Sequence, residues 1–459
     1  LGLPSGALAD ILDRRRYLVF TQFLVAVVAV VLCAAILSGG MTVPLLLALV
    51  FVNGVGLAMR WPVFAAVVPE LVNRTQLPAA LALNGVAMNA SRIVGPLVAG
   101  AIIASAGSVW VFVLNAVLSV VSGLVILRWK REHRPNPLGR ERLVSAMRVG
   151  VQFVRQSPRM RSVLWRISAF FVHGTALMAL LPLLAKGLDG GGAGTFTLLL
   201  ASMGGGAIVA ALLLPRLRQA MPAEVLIRRS ALVQAACMAV AAIAPNVYVA
   251  VPTMVLAGMG WITVANSLSV SAQLALPNWV RARGMSIFQM AIMGSTALGA
   301  AIWGQVASWT GVPVSLAVAA LSSVLVMALV QRLVTDRSVE EDLSPSHAVQ
   351  PPEAPAGVED GRVIVTLEYR IDPKRASDFR KLMQESRRIR LGQGALSWQL
   401  LHDTTDPARY VEMIEDESWT EHLRRLSRFT ASNMELQQRK QAFHVGDNPP
   451  VVTRYFSER

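Results

Sequence analysis

Ten stretches of nearly unbroken apolar residues fill most of the first 333 positions, near 17–37, 44–68, 80–105, 109–127, 163–185, 195–214, 230–246, 249–275, 284–308 and 312–333. A helix needs about 20 mostly apolar residues to cross the hydrocarbon core of a bilayer, and ten in succession have no place inside a soluble domain. The gaps are short and hold turn residues, among them Ser38-Gly39-Gly40, Ala106-Gly107-Ser108, Pro245-Asn246 and Gly311-Val312-Pro313. The pattern predicts an all-α polytopic membrane protein. Past Val334 it changes. Residues 335–361, rich in Asp, Glu, Ser and Pro, read as a flexible linker. Val363, Val365, Leu367 and Tyr369 then alternate as a strand. A helix from Pro373 to Arg390, strands around 395–402 and 409–415, a helix from Ser418 to Phe443 and a strand at 451–456 complete a β-α-β-β-α-β order.

Composition agrees with the pattern. The 459 residues are 54% hydrophobic and only 15% charged, with a mean hydropathy of +0.51, which argues against a water-soluble enzyme. The net charge of +15 suggests nucleic acid at first sight, but its distribution points to topology instead. Residues 1–335 hold 25 Lys/Arg against 7 Asp/Glu, whereas 358–459 hold 17 against 16. The basic residues fall in alternate gaps, at Arg14 to Arg16, Arg74, a block from Arg128 to Arg166, Arg216 to Arg229, and Arg281 and Arg283. By the positive-inside rule these gaps are cytoplasmic, which puts both termini in the cytoplasm. Cys33 and Cys237 both lie in apolar runs, so no disulfide framework is expected.

The longest gap divides the spans into residues 1–127 and 163–334, with 128–162 between them. Within it Leu143, Met147, Val151 and Val154 recur at helical spacing among arginines, a pattern suited to a helix on the anionic inner leaflet; a solvated basic linker is the alternative. The two sides resemble each other at an offset of 204. Gly95-Pro96-Leu97-Val98-Ala99-Gly100 runs on to Ala106-Gly107, and Gly299-Ala300-Ala301-Ile302-Trp303-Gly304 runs on to Thr310-Gly311. Two similar halves around a basic loop suggest a secondary transporter, with its substrate site between the halves near the membrane midplane. Chance similarity among Ala/Gly-rich helices is the alternative.

Residues 6–16, Gly-Ala-Leu-Ala-Asp-Ile-Leu-Asp-Arg-Arg-Arg, resemble the loop between the second and third helices of the major facilitator superfamily. The resemblance implies that Gly6 permits close helix packing, Asp10 pairs with a helix terminus or arginine, and Arg14, Arg15 and Arg16 hold a loop that latches the halves. Ile11 and Asp13 stand where the family usually has Arg and Gly. Pro69-Glu70-Leu71-Val72, Leu77-Pro78-Ala79-Ala80 and Arg92-Ile93-Val94-Gly95-Pro96 resemble the branch that contains the enterobactin exporter and the transmembrane secretion effectors. Gly95, Pro96 and Gly100 also resemble a fifth-helix gating motif of proton-coupled exporters, with Ala99 as a departure. The major facilitator resemblance further implies two pseudo-symmetric bundles of six helices. Only four spans precede the long loop and the chain opens at Leu1, so the first one to two helices of the first bundle are expected upstream.

Ionisable groups within spans are costly and so are functional candidates. Arg60, Arg92 and His173 are the visible ones, with Asn84 and Asn89 near Arg92. These five form the expected substrate and proton pathway, although either arginine could instead snorkel to the interface. No Asp or Glu lies well inside any of the ten stretches, and the resemblance places Val50 where many exporters carry a proton-coupling arginine. The carboxylate for proton antiport is accordingly expected upstream. The tail, 362–459, resembles the ferredoxin-like domains related to antibiotic-biosynthesis monooxygenases through Glu417-Ser418-Trp419 and His422. His402, Trp419, His422 and His444 are its only enzymatic candidates. No metal-ligand spacing or phosphate loop accompanies them, so the tail reads as an accessory, regulatory or self-associating module without a cofactor. The expected function is export of a small organic molecule, a siderophore or drug-like compound, across a bacterial inner membrane. The expected partners are the lipid bilayer, that substrate and protons, with no nucleic acid. A lipid or lysophospholipid translocator and a membrane-anchored enzyme or sensor are the alternatives.

Overall fold

The structure is a computed structural model that describes residues 12–72, 105–129, 138–139, 141–188, 192–333, 361–446 and 448–457, with single positions among 4–8, 80–102 and 342–352. Two compact units emerge: one from residues 1–131, 162–274 and 285–335, the other from residues 132–161, 275–284 and 336–459.

Among the described residues, nine helices are long and apolar enough to span a membrane. In chain order the first three are α1 (Arg14–Leu37), α2 (Val43–Leu71) and α3 (Ser108–Arg128). The short helix α4 (Leu143–Gln156) follows. The remaining spans are α5 (Pro158–Gly187), α6 (Ala193–Ala220), α7 (Ala223–Ala242), α8 (Val247–Leu274), α9 (Arg281–Thr310) and α10 (Val312–Leu333). The stretch expected over 80–105 lies largely outside the described residues; the positions described there are helical. The chain is a multi-pass membrane protein. Valine- and isoleucine-rich segments stay helical because hydrocarbon leaves the backbone no partner but itself, which overrides their weak intrinsic helix preference.

In the first unit α1 packs against both α2 and α3, and α8 packs against α6 and α7, with α10 on α7. Two turn glycines share the offset of the sequence similarity. Gly107 (φ 94°) directly precedes α3 and Gly311 (φ 86°) directly precedes α10, at the same offset of 204. A left-handed residue reverses the chain between consecutive helices, and glycine adopts it without the clash a Cβ brings.

The second unit holds α4, the turn 275–284 and the tail. The tail runs β1 (Val363–Arg370), a 3-10 turn at Pro373–Arg375, α11 (Ala376–Gly392), β2 (Ser397–His402), β3 (Arg409–Asp416), α12 (Trp419–Ser427), α13 (Ala431–Gln441) and β4 (Val451–Phe456). Its four strands form one sheet in the order β2-β3-β1-β4, and every neighbouring pair is antiparallel. Alternate residues of β1 and β3 are buried, and Phe379 and Met383 of α11 close over them. The helix expected over 418–443 is two helices, because the chain turns at Arg428–Thr430 and Thr430 with Asn433 forms a capping box that starts the second. Part of the segment expected as a flexible linker is paired: Ser346 donates to the Phe429 carbonyl at 2.9 Å, and Ala431 donates to that of Ser344 at 3.0 Å.

Candidate functional site

Arginine inside an apolar helix needs a partner, and Arg60 of α2 finds one in α1. Its Nη1 donates to Gln22 Oε1 at 3.1 Å, and Gln22 is buried. Gln22 is the amide that interrupts the apolar run from Tyr17 to Leu37. It escaped the sequence reading because it carries no charge. Together the two place a cation and a hydrogen-bonding amide between neighbouring helices, a pair able to meet an anionic or polar solute.

His173 of α5 is buried and uses its Nδ1 on the Ala169 carbonyl, 2.7 Å away, one helical turn back. Its ring lies 5.8 Å from that of Trp303 on α9. Trp303 Nε1 donates to the Val172 carbonyl at 2.8 Å, and Gly299 allows the approach, since a Cβ there would lie 2.3 Å from the same oxygen. One face of α5 is therefore tied to α9 by a hydrogen bond and a bare backbone contact. On another side Trp261 of α8 packs with Phe170 and Phe171 at ring separations of 5.6 and 4.8 Å. Gln234 of α7 is 1% exposed, and among the described residues neither its amide oxygen nor its nitrogen has a partner. A dry, unpaired amide costs on the order of 1–3 kcal/mol, so Gln234 is a second polar landmark that sequence reasoning passed over.

Arg14, Arg15 and Arg16 form the first turn of α1, capped by Asp13, whose carboxylate accepts from the Arg15 amide at 2.9 Å. The Arg15 guanidinium also donates to the Leu127 carbonyl at the end of α3. Carbonyls at a helix C-terminus carry partial negative charge, so this arginine ties two helix ends together. Asn84 and Gly95 are helical. Gly6, Asp10, Asn89, Arg92, Pro96 and Gly100 lie outside the described residues.

In the tail the enzymatic candidates are engaged structurally. His422 lies between Asp416, at 2.8 Å from its Nδ1, and Arg454, whose Nε donates to its Nε2 at 3.3 Å. That arrangement holds a neutral imidazole, and burial with Arg425 and Arg454 nearby lowers its pKa despite the pull of Asp416. Arg425 grips the same carboxylate with Nε and Nη2, each at 2.8 Å. Burial raises Asp416, yet Arg425 and His422 bring it down to about 2. His402 stacks on Tyr410 with ring centroids 4.4 Å apart, and His444 Nδ1 accepts from the Arg370 amide at 3.0 Å. Trp419 packs on the His422 ring, 5.4 Å between centroids.

A second buried cluster went unread in the sequence. Glu412, fully buried in β3, accepts from Lys440 at 2.6 Å, Ser386 at 2.8 Å and Trp398 at 2.9 Å. Burial opposes its charge, but Lys440 and Arg390 hold it down at about 2. Every lone pair is committed inward, as befits a structural carboxylate. Among the described residues no group of His, Cys, Asp and Glu could hold a metal ion.

The sequence profile of the transmembrane secretion effectors matches residues 1–459. Solved structures of similar architecture include the Escherichia coli fucose:proton symporter (TM-score 0.60, 15% identity, covering 73% of this chain and 87% of that one). The human organic anion transporter also aligns (TM-score 0.60, 15% identity, 72% and 80%). So does an outward-facing bacterial homologue of the iron transporter ferroportin (TM-score 0.54, 17% identity, 73% and 85%). No curated relative matches the chain. At these identities the structural likeness establishes the fold and not the substrate.

Proposed function

Because this chain belongs to the transmembrane secretion effector family of major facilitator transporters, we propose that it exports a small organic molecule across a bacterial inner membrane by alternating access, in exchange for protons. The observation that carries this reading is the repeat marked by Gly107 and Gly311, since two like halves rocking about a central site is how such folds move solutes. A siderophore or drug-like compound fits best. Arg60 with Gln22, together with His173, Asn84, Asn89 and Arg92, makes up the proposed solute and proton pathway, to which Gln234 adds an amide free to bond a polar solute. Gly6, Asp10 and Arg14 to Arg16, with Gly95, Pro96 and Gly100, are the proposed gating elements.

The arginine-rich gaps support cytoplasmic termini. The strand order β2-β3-β1-β4 supports the ferredoxin-like reading of the tail, which is then a cytoplasmic accessory domain able to self-associate. The coupling partner and anionic cargo named for the solved neighbours are consistent with proton exchange and with an arginine in the pathway.

The test is flux from proteoliposomes holding the full chain, with a catecholate siderophore or a cationic dye inside and an imposed pH gradient. Gradient-driven movement that falls when Arg60 becomes Gln is expected. Flux indifferent to the gradient overturns the antiport, and movement of labelled lipid in place of both probes overturns the small-molecule reading.

A further inference from the structure

Within the second unit, three segments far apart in sequence meet on one carboxylate. Glu141, just before α4, receives Arg283 Nη2 at 2.5 Å and Arg428 Nη2 at 2.9 Å. All three side chains are almost fully buried, at 11%, 3% and 7% exposure. Burial raises the Glu141 pKa, but the two guanidinia more than reverse this and its net shift is downward. Arg283 also donates to the Ala146 carbonyl at 3.2 Å, and Arg428 to that of Gln393 at 2.6 Å, while the Arg428 guanidinium lies 4.7 Å above the Trp279 ring.

An outer ring of contacts surrounds this triad. Arg148 and Ser145 of α4 donate to Glu417 at 2.7 and 2.8 Å, and Arg424 donates to the Leu138 carbonyl at 2.8 Å. Packing is equally close. Gly394 (φ 114°) sits where a Cβ would lie 2.8 Å from Arg428 Nη1 and 3.0 Å from Val149. Phe153 meets Trp279 edge-on at 5.6 Å. The face of α4 carrying Ala146, Val149 and Gly150 is buried by this docking, while Leu143, Met147 and Val151 on the neighbouring face keep some exposure.

We propose that the tail is an intramolecular latch. It binds residues 141–156, which lie between the two helix groups, to residues 275–284, which run from the end of α8 into the first turn of α9, and it slows transport until it undocks. The inference rests on the transporter reading, because alternation between states requires helices joined by these connectors to move relative to one another. Two cations share one buried anion, so withdrawing the tail gives up the Arg428 half of the pairing, and withdrawing Glu141 leaves both buried guanidinia without their common carboxylate. The outer pair Arg148–Glu417, at 28% and 35% exposure, is accessible to water and is where opening begins. A domain that merely trailed from its linker would need neither the buried triad nor the bare backbone at Gly394.

The test is a reversible lock. A Cβ built on Gly392 lies 3.5 Å from the Gln156 Cβ, within the span of about 3.5–4.5 Å that a disulfide requires. The Gln156→Cys/Gly392→Cys double variant of the full chain is studied in nanodiscs by hydrogen exchange and in proteoliposomes by flux of the dye and siderophore probes. Each single variant is a control, and Cys33 and Cys237 are buried. Oxidation is expected to protect the last turn of α8 and the first turn of α9 and to slow flux about tenfold, with dithiothreitol restoring both; tenfold is the scale of one charge-assisted contact. Glu417→Arg is expected to speed exchange and flux, and Arg148→Glu in the same chain to restore them. Equal exchange in the oxidised and reduced protein overturns the latch, as does slowed exchange with unchanged flux of a probe the protein moves. If no probe moves under any condition the exporter reading fails on its own, and the exchange comparison still decides whether the tail holds the connectors.

Discussion

The contact between α6 and α8 permits a sharp stability prediction. A Cβ on Gly206 would lie 1.9 Å from the Val255 carbonyl oxygen, and one on Gly258 would lie 1.9 Å from that of Met203. The two glycines are thus reciprocal: each helix supplies one bare backbone and one carbonyl. An ordinary carbon–oxygen contact needs about 3.3 Å, so Gly258→Ala must part the helices by more than about 1 Å. Both colliding atoms belong to rigid backbone, and no rotamer change relieves them. A gap of that size forfeits up to about half the dispersion energy of each contact along the seam. The seam includes Leu199, Met254 and Ala257, all fully buried. The expected cost of either substitution is about 3 kcal/mol, the upper end for overpacking. The double variant should cost much less than the sum, because helices already parted at one glycine make room at the other. Gly205→Ala is the control: among the described residues nothing lies within 4 Å of a Cβ built there, so alanine should be neutral or slightly stabilising. Intrinsic tryptophan fluorescence during heating of the detergent-solubilised full chain ranks the four proteins. A Gly258→Ala variant that melts with Gly205→Ala, or full additivity in the double variant, refutes the reasoning.

Three further outcomes are expected. Glu141→Gln leaves Arg283 and Arg428 facing a neutral amide in a buried site and should weaken the second unit by about 3–5 kcal/mol. Glu417→Gln, at a half-exposed pair, should cost about 1 kcal/mol or less, so similar exchange rates at 141–156 in the two variants would contradict the burial argument. Asp416 and Glu412 are both held near 2, below ordinary values of 3.8 and 4.5, so their contribution is complete above those ordinary values and is lost as pH falls from about 4.5 through 2. Asp416 alone accounts for about 2 kcal/mol. His422, also lowered, adds a loss that begins as pH falls below its ordinary 6.5; a tail as protected from exchange at pH 3 as at pH 7 would contradict this. Gln234→Leu removes two buried polar atoms that have no partner among the described residues, and should stabilise the solubilised protein by about 1–3 kcal/mol while lowering flux; unchanged transport would remove Gln234 from the pathway.

The membrane helices were legible because a bilayer imposes a length that sequence displays directly. Their ends were less so. The stretch expected over 230–246 is the helix Ala223–Ala242, which begins a full turn and more before the apolar run and carries Arg228 and Arg229 exposed on one side while Leu226 and Ile227 are buried on the other. Charge marks where a chain meets water, but long arginine side chains let a helix continue past that point. In the tail each described strand was legible, whereas two helices looked like one. The break at Thr430 was visible as Thr430-x-x-Asn433, a capping signal hidden inside an otherwise helical run. Pairings were the least legible. Glu141 and Arg283 lie 142 residues apart, and no local pattern brings them together.

Arginine makes that last difficulty concrete, because one residue type here does two kinds of work. Arg216, Arg228 and Arg229 are exposed at helix ends, where the positive-inside rule accounts for them. Arg283, Arg425 and Arg428 are buried, Arg425 against the buried Asp416 and the other two against the nearly buried Glu141. In the sequence the two sets look alike, and Arg283 falls in a short basic gap like any other topology signal. What separates them is the cost of dehydration. An exposed arginine can be traded for lysine with little consequence, since either supplies the charge that orients a loop. A buried guanidinium is held by its planar fork, as when Arg425 grips both oxygens of Asp416, and an ammonium cannot reproduce that grip. Acidic residues are therefore the better guide to this chain's internal architecture. Where acid is scarce, as in residues 1–335 with only seven Asp or Glu, a carboxylate such as Glu141 in a run of arginines marks a place where the chain must fold back on itself.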